Sequence, residues 1–205
     1  MEPDRELYIV RHGETEWNKN HKYQGQKDVK LNKTGKKQAR LSAEALADVD
    51  LEAVCSSDLS RARKTAERIA EKHQLEVKSY ADLQEIDFGE WEGKSYQEII
   101  EEEKQRFDAW LNNPGSTSPP AGENMDDLQQ RVCKAFAQIL QLSAAKIAVV
   151  AHGGTIRAYL LHLLGMPLKN YTRLHFDNAG ISRVKFYEGN PVVTQVNTTA
   201  HLNGE

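Results

Sequence analysis

Residues 7–18 read Leu-Tyr-Ile-Val-Arg-His-Gly-Glu-Thr-Glu-Trp-Asn, and residues 146–155 read Lys-Ile-Ala-Val-Val-Ala-His-Gly-Gly-Thr. The first apolar run breaks abruptly into Arg11-His12-Gly13 and the second into His152-Gly153. Such a run, bounded by turn residues, is consistent with a strand buried on both faces. In open α/β sheets, ligands bind just outside the carboxyl ends of strands. His12 and His152 are therefore both expected to face a ligand rather than a core. Arg11, beside the first, carries a planar fork of donors suited to phosphate or carboxylate oxygens. Gly153 opens a helical run, where free backbone N–H groups favour an anion.

Working outward, strand patterns at 51–55, 76–80, 181–187 and 192–197 alternate in part with helical patterns at 33–47, 61–72, 96–111, 126–142 and 155–164. Together with strands at 7–10 and 147–151, this predicts a three-layer α/β/α sandwich. Its sheet is mostly parallel, with the last strands at an edge. The chain reads as one domain over 1–205. A lid-like insertion spans about 90–127, because the Pro/Gly/Ser-rich loop at 112–122 precedes the core strand at 147–151.

Two further motifs fall at element ends. The run Ser56-Ser57-Asp58-Leu59-Ser60-Arg61-Ala62 leaves a strand and opens a helix, placing Arg61 in the first turn, where the dipole favours anions. The run Leu83-Gln84-Glu85-Ile86-Asp87-Phe88-Gly89 puts Glu85 after the strand at 76–80, with Asp87, Glu90 and Glu92 as competitors for an acid role. Two His, two Arg and a carboxylate make an anion site with an acid–base group. In phosphoryl transfer most of the catalysis is positioning plus cationic stabilisation. Arg11, Arg61 and His152 can form that cradle. An imidazole among like charges is held neutral, which suits His12 as nucleophile.

Composition narrows the partners. The 205 residues carry 27 basic and 30 acidic side chains, a net charge of −3, so generic nucleic-acid binding has little support. Seven lysines between Lys19 and Lys37 oppose the single acid Asp28, either steering anions or forming a solvated face. Cys55 and Cys133 read as reduced core residues of a cytoplasmic protein. No secretory apolar region follows residues 1–6, and the apolar stretch at 158–168 is too short to span a bilayer, so no membrane partner is expected. A metal is not expected either: no His-x-x-x-His or Cys-x-x-Cys pair occurs, and Gly13-Glu14 after His12 does not by itself build a coordination shell. The P-loop pattern of ATP-driven phosphotransferases is missing as well.

The four ordered motifs, Arg11-His12-Gly13-Glu14-Thr15, Ser56 to Ala62, Glu85 with Gly89 and Gly93, and His152-Gly153-Gly154, resemble those of the histidine phosphatase superfamily, also called phosphoglycerate mutase-like. The likeness runs from Leu7 to His201 and is to its small cytosolic phosphatases of broad-specificity, α-ribazole-phosphate and phosphoserine type. It implies a metal-independent phosphomonoester hydrolase, a monomer or homodimer without cofactor, acting on small phosphorylated metabolites. By the same resemblance His12 forms a phosphohistidine and His152 binds the transferring oxygens. Glu85 is the proton donor, Asn18 contacts phosphate, Gln24 and Gly25 line the pocket, and His201 lies in a terminal segment that approaches it. Two alternatives stand: a cofactor-dependent phosphoglycerate mutase and a non-catalytic phosphate-binding module. The segment Glu90–Asp127, with ten acids and three bases, is poor company for a bisphosphorylated ligand, which favours the phosphatase. Trp91, Tyr96, Phe107 and Trp110 are its candidate substrate contacts, some of them core instead.

Overall fold

A computed structural model describes residues 2–203, so the expected domain over 1–205 runs past the described residues at 1, 204 and 205. Strand β1 (Arg5–Arg11) lies inside the sheet, with β4 (Lys146–Ala151) parallel on one side and β5 (Ile181–Tyr187) antiparallel on the other. The remaining strands are β2 (Ala53–Ser57), β3 (Val77–Tyr80) and β6 (Asn190–Thr198). Among the described residues they form one six-stranded sheet in the order β3-β2-β4-β1-β5-β6. The first four strands in this order run parallel, and the last two pairings, β1 with β5 and β5 with β6, are antiparallel, so the sheet is mostly parallel with the last strands towards an edge, as the sequence implied.

Alternation along each strand divides two cores. Leu7 and Ile9, with Ile147, Val149 and Ala151, face α5 (Met125–Ile139) and α6 (Gly153–Leu163). Tyr8 and Val10, with Ala148 and Val150, face α2 (Lys33–Ala45) and α3 (Ser60–His73). The second layer presents Ala43, Ala62, Ala66 and Ala70, small residues that let the helices come close to the sheet. Phe136 of α5 stacks on Tyr159 of α6 with ring centroids 3.6 Å apart, locking those two helices together.

The expected lid segment contains a 3-10 turn at Gly89–Trp91 and α4 (Tyr96–Asn112), which bends at Glu103. Trp91, Phe107 and Trp110 are buried in the first core, and only Tyr96 of the four aromatic candidates is exposed, at 53%. Many of the acids here are engaged: Glu102 pairs with Lys94, Asp108 with Lys104 and Glu123 with Arg131. A short helix the sequence reading did not foresee, α1 (Glu16–Lys19), follows β1, closed by a reciprocal cap between Thr15 and Asn18. Among the described residues no helix is long and apolar enough to cross a membrane.

Candidate active site

The parallel pairing of β1 with β4 sets Arg11 opposite Ala151, so the residues that follow, His12 and His152, leave the sheet side by side. Their rings lie 5.1 Å apart between centroids, inclined by 60°. His12 Nδ1 stands 2.7 Å from the Gly13 carbonyl, and since a carbonyl only accepts, Nδ1 must donate. That assigns the free lone pair to Nε2. Burial, reinforced by the Arg61 and Arg11 charges, holds the His12 pKa well below the usual imidazole range, so the ring is neutral at pH 7. His152, fully buried, has neither ring nitrogen bonded within the protein. Burial first, then Arg61, His12, Arg11 and Arg131, keeps it neutral too. The cradle anticipated from sequence thus holds two permanent cations rather than three, with His152 offering one N–H.

Arg61, buried in the first turn of α3, donates from Nη2 to the Gly25 carbonyl (2.6 Å) and from Nη1 to the Lys27 carbonyl (2.9 Å). With the Gln24 amide turned to satisfy both neighbours, its oxygen accepts from Arg61 Nε at 2.7 Å and its nitrogen donates to Thr15 Oγ1. Thr15 in turn donates to Asn18 Oδ1, which also receives Asn178 Nδ2. A single chain of hydrogen bonds therefore joins Asn18, Thr15, Gln24 and Arg61. Arg11 donates through Nη1 to the Phe176 carbonyl (2.6 Å), while its buried Nε has no partner. Gly153 begins α6 against Arg11: a Cβ there would stand 3.6 Å from Arg11 Nε.

Glu85 is buried at the start of the same helix. Its carboxylate accepts from the amides of Gly154 (3.0 Å), Thr155 (3.2 Å) and Ile86 (2.9 Å). A Cβ on Gly154 would come within 2.3 Å of Glu85 Oε1, so only glycine admits this approach. The competing acids are occupied elsewhere. Asp87 caps the Gly89 amide, and Glu92 binds the Gln26 and Lys27 amides, fixing the loop that Arg61 grips; Glu90 is exposed. Of the sequence candidates, His201 is not brought into this group: its ring bonds the Ala179 carbonyl (3.1 Å) and Ser42 (3.4 Å). Lys30 and Lys36 do not join it either, and line a groove of about 740 Å³ between α2 and α3. No three His, Cys, Asp or Glu side chains among the described residues are grouped to hold a metal ion.

The sequence profile of the histidine phosphatase superfamily (branch 1) matches residues 7–199. This chain belongs to that superfamily. It is 35% identical over 198 residues to phosphoserine phosphatase 1 of Hydrogenobacter thermophilus, covering 96% of this chain and 93% of that one. It is also 35% identical over 184 residues to a protein of Citrobacter koseri named "Probable phosphoglycerate mutase", covering 89% and 86%. Among solved structures, the α-ribazole phosphatase of Shigella flexneri superposes with a TM-score of 0.86 at 28% identity, over 94% of this chain and 96% of that one.

Within this histidine phosphatase, several residues that shape the site were not singled out from sequence. Thr65 accepts from the Gly13 amide, Asn178 holds the His12 carbonyl, and Arg131 bonds the main chain at Glu85. Thr65 and Arg131 sit on helices with nothing in their spacing to mark them. Asn178 lies in a loop between elements, where sequence pattern is silent. Glu92 was visible as an acid in a glycine-flanked turn, but its partner amides at 26 and 27 are remote in the chain.

Proposed function

We propose that this chain hydrolyses small phosphate monoesters without a metal, through a phosphohistidine at His12. The observation that carries this reading is the neutral His12 ring, with Nδ1 spent on Gly13 and Nε2 free, set between Arg11, Arg61 and His152. In the first step Nε2 attacks phosphorus in line while the phosphorus–oxygen bond to the leaving group breaks. Arg11, Arg61 and one N–H of His152 hold the equatorial oxygens, and Asn18, Gln24, Gly25 and Gly153 shape the surrounding wall. Protonated Glu85 gives its proton to the departing oxygen. In the second step the Glu85 carboxylate takes a proton from water, which attacks phosphorus and releases His12. Segment 90–127 acts as the lid over the leaving group. A cytoplasmic location, as monomer or homodimer with no nucleic-acid or membrane partner, accords with this activity.

The relationship to proteins named phosphoserine and α-ribazole phosphatases supports this hydrolase over a mutase. The net −7 of segment 90–127 supports it as well. His12→Ala abolishes both turnover of p-nitrophenyl phosphate and acid-labile labelling of the protein by phosphate. Substantial activity in that variant overturns the mechanism. The mutase relative gives the second reading its footing. Efficient interconversion of phosphoglycerates, with a phosphoenzyme stable after bisphosphoglycerate treatment, decides for it.

A further inference from the structure

Glu85 is only as well placed as the main chain that carries it, and that chain is gripped from α5. Arg131 donates from Nη1 to the carbonyls of Asp82 (3.0 Å) and Gln84 (2.8 Å), and from Nη2 to that of Glu85 (2.9 Å). Its Nε donates to Glu123 Oε2 at 3.1 Å, and its second Nη2 hydrogen meets Glu123 Oε1. All five guanidinium donors are therefore used, three of them on one four-residue stretch. Glu123 closes the frame: its Oε1 accepts from the Asp87 amide (2.9 Å), and its own amide donates to the Asp87 carbonyl (3.0 Å). From the other side, Thr155 Oγ1 donates to the Gln84 carbonyl at 2.9 Å. The segment 82–87 is thus pinned between α5 and the start of α6, where the Gly154 and Thr155 amides receive the Glu85 carboxylate.

We infer that Arg131 and Glu123 are a positioning pair that sets the Glu85 carboxyl for proton transfer while leaving phosphate binding to the Arg11–Arg61 side. This rests on the reading of Glu85 as the acid–base group. A lysine could not replace Arg131 here: it has three donors on a point charge and cannot span three carbonyls and a carboxylate from one plane. Glu123 belongs to the return arm of segment 90–127, and the Glu90 amide bonds the Pro120 carbonyl on the same arm. The pair therefore ties the orientation of the acid to the seating of the lid.

The test compares n-propyl phosphate, whose alkoxide needs a proton, with p-nitrophenyl phosphate, whose phenolate leaves unaided. Glu85→Gln sets the reference. Arg131→Gln should lower the propyl-to-nitrophenyl ratio of kcat/KM by on the order of 10-fold or more, within the range of general-acid assistance, with inhibition by inorganic phosphate kept within about twofold of the parent. Glu123→Gln should move the ratio in the same direction. A folded Arg131→Gln protein that loses both substrates equally, or neither, overturns the inference. Should Arg131→Gln not fold, Arg131→Lys and Glu123→Gln carry the test, and an unchanged ratio in folded Glu123→Gln overturns it. If Glu85→Gln itself shows no discrimination, the assignment of Glu85 falls; if Glu85→Gln discriminates and the Arg131 and Glu123 variants do not, only the positioning pair falls.

Discussion

His12 and His152 are basic side chains kept uncharged, and the two effects that do so differ in reach. Burial acts on each ring separately, whereas the Arg61 and Arg11 charges act on both. Their folded-state pKa values lie below the ordinary value of about 6.5. As pH falls below about 6.5 the unfolded chain takes up protons that the native rings refuse, so stability declines until the folded-state pKa values are reached. The phosphate-free protein should lose stability between pH 7.5 and 5.5, and a His12→Gln/His152→Gln double variant should lose less. Urea midpoints at the two pH values measure this, and equal slopes for both proteins would remove the titration argument. Gly154 makes a complementary point, since the carboxylate at Glu85 reaches its amides only across a position that has no side chain.

At the scale of elements, the strands that lead to the histidines were legible because both are unbroken apolar runs, one breaking into Arg-His-Gly and the other into His-Gly, and both prove fully buried over their centres. Helix ends were less so. The pattern at 126–142 runs three residues past the end of α5 at Ile139, since Leu142 packs on the core from beyond the helix and so continues the apolar count. Glu85 was readable as a carboxylate after a strand, yet nothing local distinguished it from Asp87 or Glu92, because the amides that choose between them come from α6 and from 26–27. Helix α5 matters for the acid as well as for the core. Phe136→Ala, which removes the ring stacked on Tyr159, should destabilise the protein by about 3–5 kcal/mol, the usual range for a buried aromatic truncation. Chemical denaturation checks this, and a loss below about 1 kcal/mol would mean the helix pair is held by its other contacts.

For the whole molecule, the site is assembled from side chains and main chain with no group of metal-binding residues among those described. Activity should therefore survive exhaustive chelation, and vanadate, which adopts the five-coordinate shape of the transition state, should inhibit at concentrations well below those of inorganic phosphate. Activity lost to a chelator and restored by a divalent ion would contradict the mechanism.

The pairing of Arg11 with Ala151 joins points 140 residues apart in the chain, and β4 is the strand that separates β1 from β2 in the sheet. Contacts of this range must first meet the entropy of closing a long loop, so they form slowly. A nascent chain extended only to residue 140 already contains His12, Arg61 and Glu85, but has no β4 to bridge β1 and β2 and no α6 to receive the carboxylate. Hydrolysis is therefore silent until β4 and α6 have been made, and its onset, during synthesis or refolding, marks the moment at which the first strand and the fourth have met.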